Sequence, residues 1–263
     1  MKPKLTIITP SYNQAGFVER TLRSVLDQGY ENLEYLVADG GSTDGSADII
    51  RRYEDRLTWW VSEPDKGQTD ALNKALARAT GDVISFINSD DVYKPGAFDT
   101  AIAALERTDA KWVVGACRFE GDAGFTKEVW VPEQPRGPRH WWILGPWGVP
   151  QPSTFWRREV FDELGPFRED MHFGFDTEHN IRLVMHGWMP ALIDDELAVR
   201  VLHEDAKSAD KSQWDADFAL LRELYLPMLS PRERRLMAFQ NALTKVGLNR
   251  VIDAASRLRA RAA

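Results

Sequence analysis

At 263 residues, with 43% apolar and 28% charged residues, the chain is long enough for one large α/β domain or two small ones. Its make-up is that of an ordinary soluble globular protein, not a disordered or fibrous one. The net charge of −7 is unevenly spread: from Leu229 onward eight Lys and Arg face two acids, leaving +6 on the tail and −13 on the body, and so acidic a body argues against nucleic acid as the main partner.

The chain passes from Met1-Lys2-Pro3-Lys4 straight into a strand-like segment, Leu5 to Thr9, without the apolar core and cleavage site of a signal peptide. No run of about 18 apolar residues follows, so a cytoplasmic location is expected. Val18, Leu22, Val25 and Leu26 then fall on one helical face. A second strand, Leu33 to Ala38, runs into Asp39-Gly40-Gly41-Ser42-Thr43-Asp44-Gly45, a turn whose Ser or Asp can cap a helix from Ser46 to Glu54. Thr58 to Val61 reads as the third strand, Thr69 to Ala79 as a helix and Val83 to Ile87 as the fourth strand. A helix follows Pro95, and Trp112 to Cys117 is the fifth strand. This alternation predicts βαβ units and a mainly parallel sheet. Cys117, the single cysteine, allows neither an internal disulfide nor a cysteine metal cage and is expected as a buried inert thiol.

The second half has a different texture. Phe119 to Trp147 is rich in Pro, Gly and Trp and reads as irregular, while Val160 to Leu164 and Asp176 to His186 read as short helices. Arg232 to Leu258 returns to helical period, with Leu236, Phe239, Leu243 and Val246 on a stripe and a break at Gly247 to Asn249. The expected organisation is an α/β domain over residues 1–228 and a basic amphipathic helical extension over 229–263.

Ligands of an open parallel sheet bind beyond the carboxyl ends of its strands. Those ends carry Thr9-Pro10-Ser11-Tyr12-Asn13, Asp39-Gly40-Gly41, Glu63-Pro64-Asp65-Lys66-Gly67-Gln68 and Asn88-Ser89-Asp90-Asp91. Two adjacent carboxylates repel unless a hard cation neutralises them, and Mg²⁺ or Mn²⁺ held this way completes its shell with phosphates and water. The implied substrate is a diphosphate. An isolated Asp-Asp pair is otherwise a solvated turn or helix cap. A nicotinamide-dependent oxidoreductase would need Gly-x-Gly-x-x-Gly after the first strand, and Ile8 to Gly16 has one glycine.

In this order, and with Asp70, Asn73, Gln151-Pro152-Ser153, Leu164-Gly165-Pro166-Phe167 and Phe175-Asp176-Thr177-Glu178 before Arg182, these segments resemble family-2 glycosyltransferases of the GT-A fold over about Leu5 to Ser208. The likeness is to transferases of bacterial polysaccharide and O-antigen type. It implies a metal-dependent, inverting transfer from a nucleotide-diphosphate sugar, UDP favoured, to a hydroxyl of a glycan or lipid-linked glycan. It also implies roles: Thr9, Pro10, Tyr12, Asn13, Asp39, Lys66, Gln68, Asp70, Asn73 and Asp90 around the donor, Asp39 accepting the uracil N3–H, Tyr12 against the base and Asp90 on the ribose. Asp91 is then the cation's ligand, with Asp90 and His203 as further metal candidates. Asn88 stands where the family's Asp-x-Asp signature has its first acid.

Inverting transfer needs a base within hydrogen-bond reach of the acceptor hydroxyl. The resemblance puts it at Asp176, with Glu178 in reserve and Phe175 in place of the family's first acid; Asp176 as a helix cap is the bland alternative. His203, in a segment similar to the family's His-x-x-x-Lys-Ser, is either a metal or phosphate partner or a structural residue. Lys66 either neutralises the diphosphate or is a solvated loop lysine. Trp141, Trp142 and Trp147 either stack on acceptor sugars or pack in the core. The C-terminal helix lies on an anionic membrane surface, or packs on the main domain or a second subunit. The departures at Asn88 and Phe175 leave one alternative of another class, a non-catalytic nucleotide-sugar or carbohydrate-binding protein of the same fold.

Overall fold

A computed structural model describes residues 2–121, 128–130, 149–203 and 212–245. The short apolar runs of the first half form β1 (Leu5–Ser11), β2 (Leu33–Asp39), β3 (Trp59–Ser62) and β4 (Val83–Phe86), all parallel, side by side as β3-β2-β1-β4. Leu5 and Ile7 face one side of the sheet and share a core with Tyr35, Val37 and Val83. The helices α1 (Val18–Leu26) and α4 (Ala97–Glu106) supply Val18, Leu22, Val25, Phe98 and Ala101 to that core. Between them in the chain come α2 (Ser46–Arg51) and α3 (Gln68–Leu76), the latter burying Ala71, Leu72 and Ala75. The crossovers of the parallel half are therefore those that the helical periods predict.

The rest of the sheet is mixed. After β5 (Val92–Tyr93) come β6 (Trp112–Gly121), β7 (Glu128–Trp130), β8 (Thr154–Arg157) and β9 (Ala191–Leu202), extending the order from β4 as β8-β6-β9-β5, with β7 on β6. Only β6 and β9 are parallel here; β4–β8, β6–β8, β6–β7 and β5–β9 are antiparallel, pairings that the βαβ reading did not contain. Phe119 to Gly121, expected as irregular, continue β6. Cys117 is buried in β6, and burial pushes its thiol up to about 12, so the inert thiol stands. The helices of this half are α5 (Glu159–Leu164), α6 (Phe175–Met185), α7 (Ser212–Tyr225) and α8 (Pro231–Lys245). Trp141, Trp142, Trp147, Lys207, Ser208, Val246 and Gly247 to Asn249 lie outside the described residues.

The chain divides into two compact units, one from Met1–Gln134 and Gly148–Asp217, the other including the chain from Phe218 onward. The division falls inside α7, earlier than the boundary expected after residue 228. In the second unit the start of α8 is closed locally. The Ser230 N–H donates to Glu233 Oε2 at 2.7 Å, the Glu233 N–H donates to Ser230 Oγ at 3.2 Å, and Pro231 fills the first helical position, which needs no N–H.

One buried acid braces the parallel half. Glu34 on β2 accepts hydrogen bonds from Lys4 Nζ (2.7 Å), Thr6 Oγ1 (2.6 Å), and the backbone N–H and hydroxyl of Thr80 (2.6 and 2.5 Å). Burial opposes its ionisation, but these donors outweigh that and hold its pKa at about 2, below the ordinary 4.5. A folded-state pKa below the unfolded one stabilises fully above the unfolded value and is lost as pH falls through the folded one. Glu34→Gln should therefore destabilise the chain by on the order of 2–3 kcal/mol at pH 7. In thermal melts the gap to the native protein should close between about pH 5 and pH 2; a gap independent of pH would show that the charge is not the stabilising element.

Candidate active site

The parallel pairing puts the carboxyl ends of β1 to β4 on one rim, and each end turns at a polar loop. Ser11 pairs with Asp39, and Asp39 with Ser62, in register. Asp39 is buried and accepts four hydrogen bonds: from the Gly41 and Ser42 N–H groups (3.2 and 2.9 Å), from Ser42 Oγ (2.5 Å) and from Ser62 Oγ (2.7 Å). Its neighbour Gly40 faces the Asp65 carboxylate, so that an added Cβ would lie 2.7 Å from Asp65 Oδ2 and that side chain would have to shift. Asn13, at φ 52°, ties the first loop to the second: its N–H donates to Ser42 Oγ (2.8 Å) and its Oδ1 accepts the Thr43 N–H (3.0 Å). Tyr12 stands 62% exposed beside them, an open aromatic face on the rim.

The fourth loop is the most constrained. Thr21 Oγ1 on α1 reaches the Ser89 and Asp91 carbonyl oxygens at 2.9 and 2.7 Å, and the Asp91 N–H closes the turn on the Asn88 oxygen at 3.1 Å. Asp91 is 1% exposed and its Oδ1 accepts the Val201 N–H of β9 at 2.9 Å. Burial and then the Asp90 charge push its pKa up, while Arg200, the Val201 N–H and Asn88 pull it down; burial prevails. Asp90 points elsewhere, its Oδ2 3.1 Å from His203 Nε2. The His203 ring stacks on Phe17 at 4.4 Å, and its Nδ1 is buried without a hydrogen-bond partner among the described residues. Gln68 Nε2 donates to Asn88 Oδ1 at 2.7 Å, joining the start of α3 to this loop.

These groups line one cleft. Gln68, Asn88, Asp90, Asp91 and Arg200 are met across it by Gln151, Phe173, Phe175, Asp176 and Trp214. Asp176 lies in the first turn of α6 but is not its cap, because Gly174 holds that position. Its Oδ1 accepts the Thr177 N–H at 2.6 Å. Glu178, the reserve base, is 1% exposed and accepts from Arg182 Nε at 2.9 Å, while Arg182 donates on to the Leu164 and Pro166 oxygens at 2.6 and 2.8 Å. It is a brace between α6 and the loop after α5.

Several other expected donor contacts are also braces. Thr9 Oγ1 is buried against the Tyr35 hydroxyl at 2.9 Å, and Pro10 lies inside β1. Asp70 accepts the Lys66 N–H at 3.1 Å and pairs with Lys74 at 3.3 Å. Asn73 holds Phe167 from both sides, donating to its oxygen at 2.9 Å and accepting its N–H at 3.1 Å. Lys66 is exposed on the rim. Gln151 belongs to a segment that the resemblance picks out, with no role given to it, whereas Arg200 and Trp214 were not found from the sequence; the first lies in β9 and the second in α7, neither of which was read there.

Among the described residues no three His, Cys, Asp or Glu side chains form a group able to hold a metal. Asp90 and His203 nonetheless fit a divalent cation: Asp90 lines the cleft, the His203 imidazole nitrogen approaches its carboxylate to 3.1 Å, and Mg²⁺ or Mn²⁺ commonly takes one or two carboxylates and completes its shell with phosphates and water.

Comparison with known proteins bears on the family and the fold. TuaG of Bacillus subtilis (strain 168), named for teichuronic acid biosynthesis, is 43% identical over 96 residues, 35% of this chain and 38% of its own length. The uncharacterized glycosyltransferase Rv1514c of Mycobacterium tuberculosis is 29% identical over 192 residues, 70% of each chain. The GalNAc(5)-diNAcBac-PP-undecaprenol beta-1,3-glucosyltransferase of Campylobacter jejuni is 28% identical over 130 residues, 48% of this chain and 42% of its own. Among solved structures, S. aureus TarS 1-349 in complex with UDP-GlcNAc superposes with a TM-score of 0.67 at 19% identity, covering 84% of this chain and 65% of that one. The mannosyltransferase PcManGT of Pyrobaculum calidifontis, in complex with GDP-Man and Mn²⁺, gives 0.59 at 20% identity, covering 97% and 86%. The fold is thus of the GT-A type, and since the model of glycosyl transferase family 2 matches residues 6–165, the chain belongs to that family.

Proposed function

We propose that the chain is an inverting glycosyltransferase that uses a nucleotide-diphosphate sugar, UDP favoured, and a divalent cation. The observation that carries this reading is a single cleft lined both by Asp90, paired with His203, and by Asp176 at the start of a helix. Tyr12 offers its exposed ring to the base, and Asp39, buried and ordered by four donors, is the acceptor for the uracil N3–H. Asn88 and Gln68, hydrogen-bonded to one another, line the cleft with Asp90. Arg200 adds positive charge where a diphosphate would sit.

In this reading Asp90 and His203 hold the cation and Asp91 anchors their loop, a different division from Asp90 on the ribose and Asp91 on the metal. When bound, the cation offsets the charge that develops on the leaving diphosphate. Asp176 takes the proton of the acceptor hydroxyl as its oxygen attacks the anomeric carbon from the face opposite the diphosphate. The C–O bond to the diphosphate breaks with inversion, and the nucleotide diphosphate departs. The acceptor is a hydroxyl of a glycan or lipid-linked glycan.

A panel of UDP-, GDP- and dTDP-sugars in thermal-shift assays with and without Mn²⁺ tests the donor half. A ligand at about 100 times its Kd should add about 2.7 kcal/mol of stability. Asp90→Asn and His203→Ala should each remove the Mn²⁺-dependent part of that shift, and a shift unchanged in both would refute the cation assignment. Asp176→Asn should leave donor binding intact while lowering kcat by about 10²-fold or more. A chain that binds donor and never releases nucleotide diphosphate, even with Mn²⁺, would instead be a binding protein of this fold.

Among the described residues no helix is long and apolar enough to cross a membrane. The α8 helix favours a peripheral contact: Arg232, Arg235, Leu236 and Phe239 share one face, with Phe239 62% exposed. Truncation before Pro231, or Phe239→Glu, should abolish co-sedimentation with phosphatidylglycerol vesicles, and equal binding to phosphatidylcholine vesicles would contradict the electrostatic part.

A further inference from the structure

We propose that Asp217 is a positioning residue for Asp176, holding in place the backbone that delivers the base to the cleft; this role rests on the assignment of Asp176 as the base. Asp217 is 6% exposed, and a single oxygen, Oδ2, accepts three consecutive backbone N–H groups, those of His172 (3.0 Å), Phe173 (2.6 Å) and Gly174 (2.8 Å). Three converging amides form a concave anion site, here filled by a side chain of the same chain. Gly174 is the N-cap of α6, and the first turn of that helix carries Asp176.

A glycine N-cap has no side chain with which to bind the first turn, and α6 shows no side-chain cap bond. The segment 172–174 therefore takes its conformation from outside, from α7. Trp214, one turn before Asp217 on the same helical face, stacks on Phe173 at 5.4 Å with 16° between the rings, and both rings line the cleft with Asp176. One face of α7 thus grips this segment twice, by a carboxylate on its amides and by an indole on its ring. Further along α6, Arg182 pairs with Glu178 of the first turn and ties the helix to the Leu164 and Pro166 oxygens, while Asp217 holds the segment that enters it. Asp217 then sets where the first turn of α6 stands, and so where the Asp176 carboxylate meets the acceptor hydroxyl.

The test uses release of nucleotide diphosphate, with Mn²⁺, from whichever donor of the panel above turns over fastest. Asp217→Ala should lower kcat by about 100-fold, the cost of a displaced reacting group, with donor KM and the Mn²⁺-dependent thermal shift unchanged. Asp217→Asn, which keeps an acceptor oxygen without the charge, should recover most of the rate, about fivefold below native. The double variant Asp176→Asn with Asp217→Ala should be no slower than Asp176→Asn alone, because both act on one step. A native kcat in Asp217→Ala beside a crippled Asp176→Asn overturns the inference while sparing the base, as does a double variant in which the losses multiply. A native rate in Asp176→Asn removes the base and this role with it. Loss of donor binding in parallel with kcat would mark a merely structural acid and also overturns it. If Asp217→Ala does not fold, Asp217→Asn carries the test, and a native kcat there overturns the proposal.

Discussion

A carboxylate buried at the tip of a strand has to find donors, and Asp91 takes one from nearby, the Asn88 side chain in its own turn, and one from far along the chain, the Val201 N–H of β9. That bond joins β9 to the loop after β4, where Arg200 sits beside the acidic pair and His203 against Asp90. The pairing of β5 with β9 and the Thr21 hydroxyl on the turn oxygens hold the same junction from below. Two neighbouring acids thereby acquire opposite duties, one turned inward to join strands and one turned out to the cleft.

The parallel half was legible because its physics is local. β1, β2 and β4 are short apolar runs buried along their length, the helices between them repeat their apolar residues at helical spacing, and polar loops at carboxyl strand ends mark the ligand rim. β9 was illegible because Asp194, Asp195 and Glu196 interrupt it and its register with β6 shifts near Ala116, so neither period survives. β8 is only Thr154 to Arg157, too short to show one.

Site residues divide in the same way. Strand-end position indicated Asp39 and Asp90, and family resemblance Asp176 and His203, but a sequence does not say which partner a polar side chain meets. Thr9, Asp70, Asn73 and Glu178 look like ligand contacts by position and prove to be bonded to the protein itself. The signal for Trp214 and Asp217 was a lone indole three residues before an acid, a pattern too common to single out before the fold brings it to Phe173 and Gly174.

Asn73 grasps Phe167 through both its backbone groups, and Arg182 takes the oxygens of Leu164 and Pro166 in the same short stretch. Helices on the two banks of the cleft, α3 and α6, are thus riveted to one shared strap. The separation of these two walls is therefore a property of the fold itself, set by side-chain bonds to the strap and not by what lies between them.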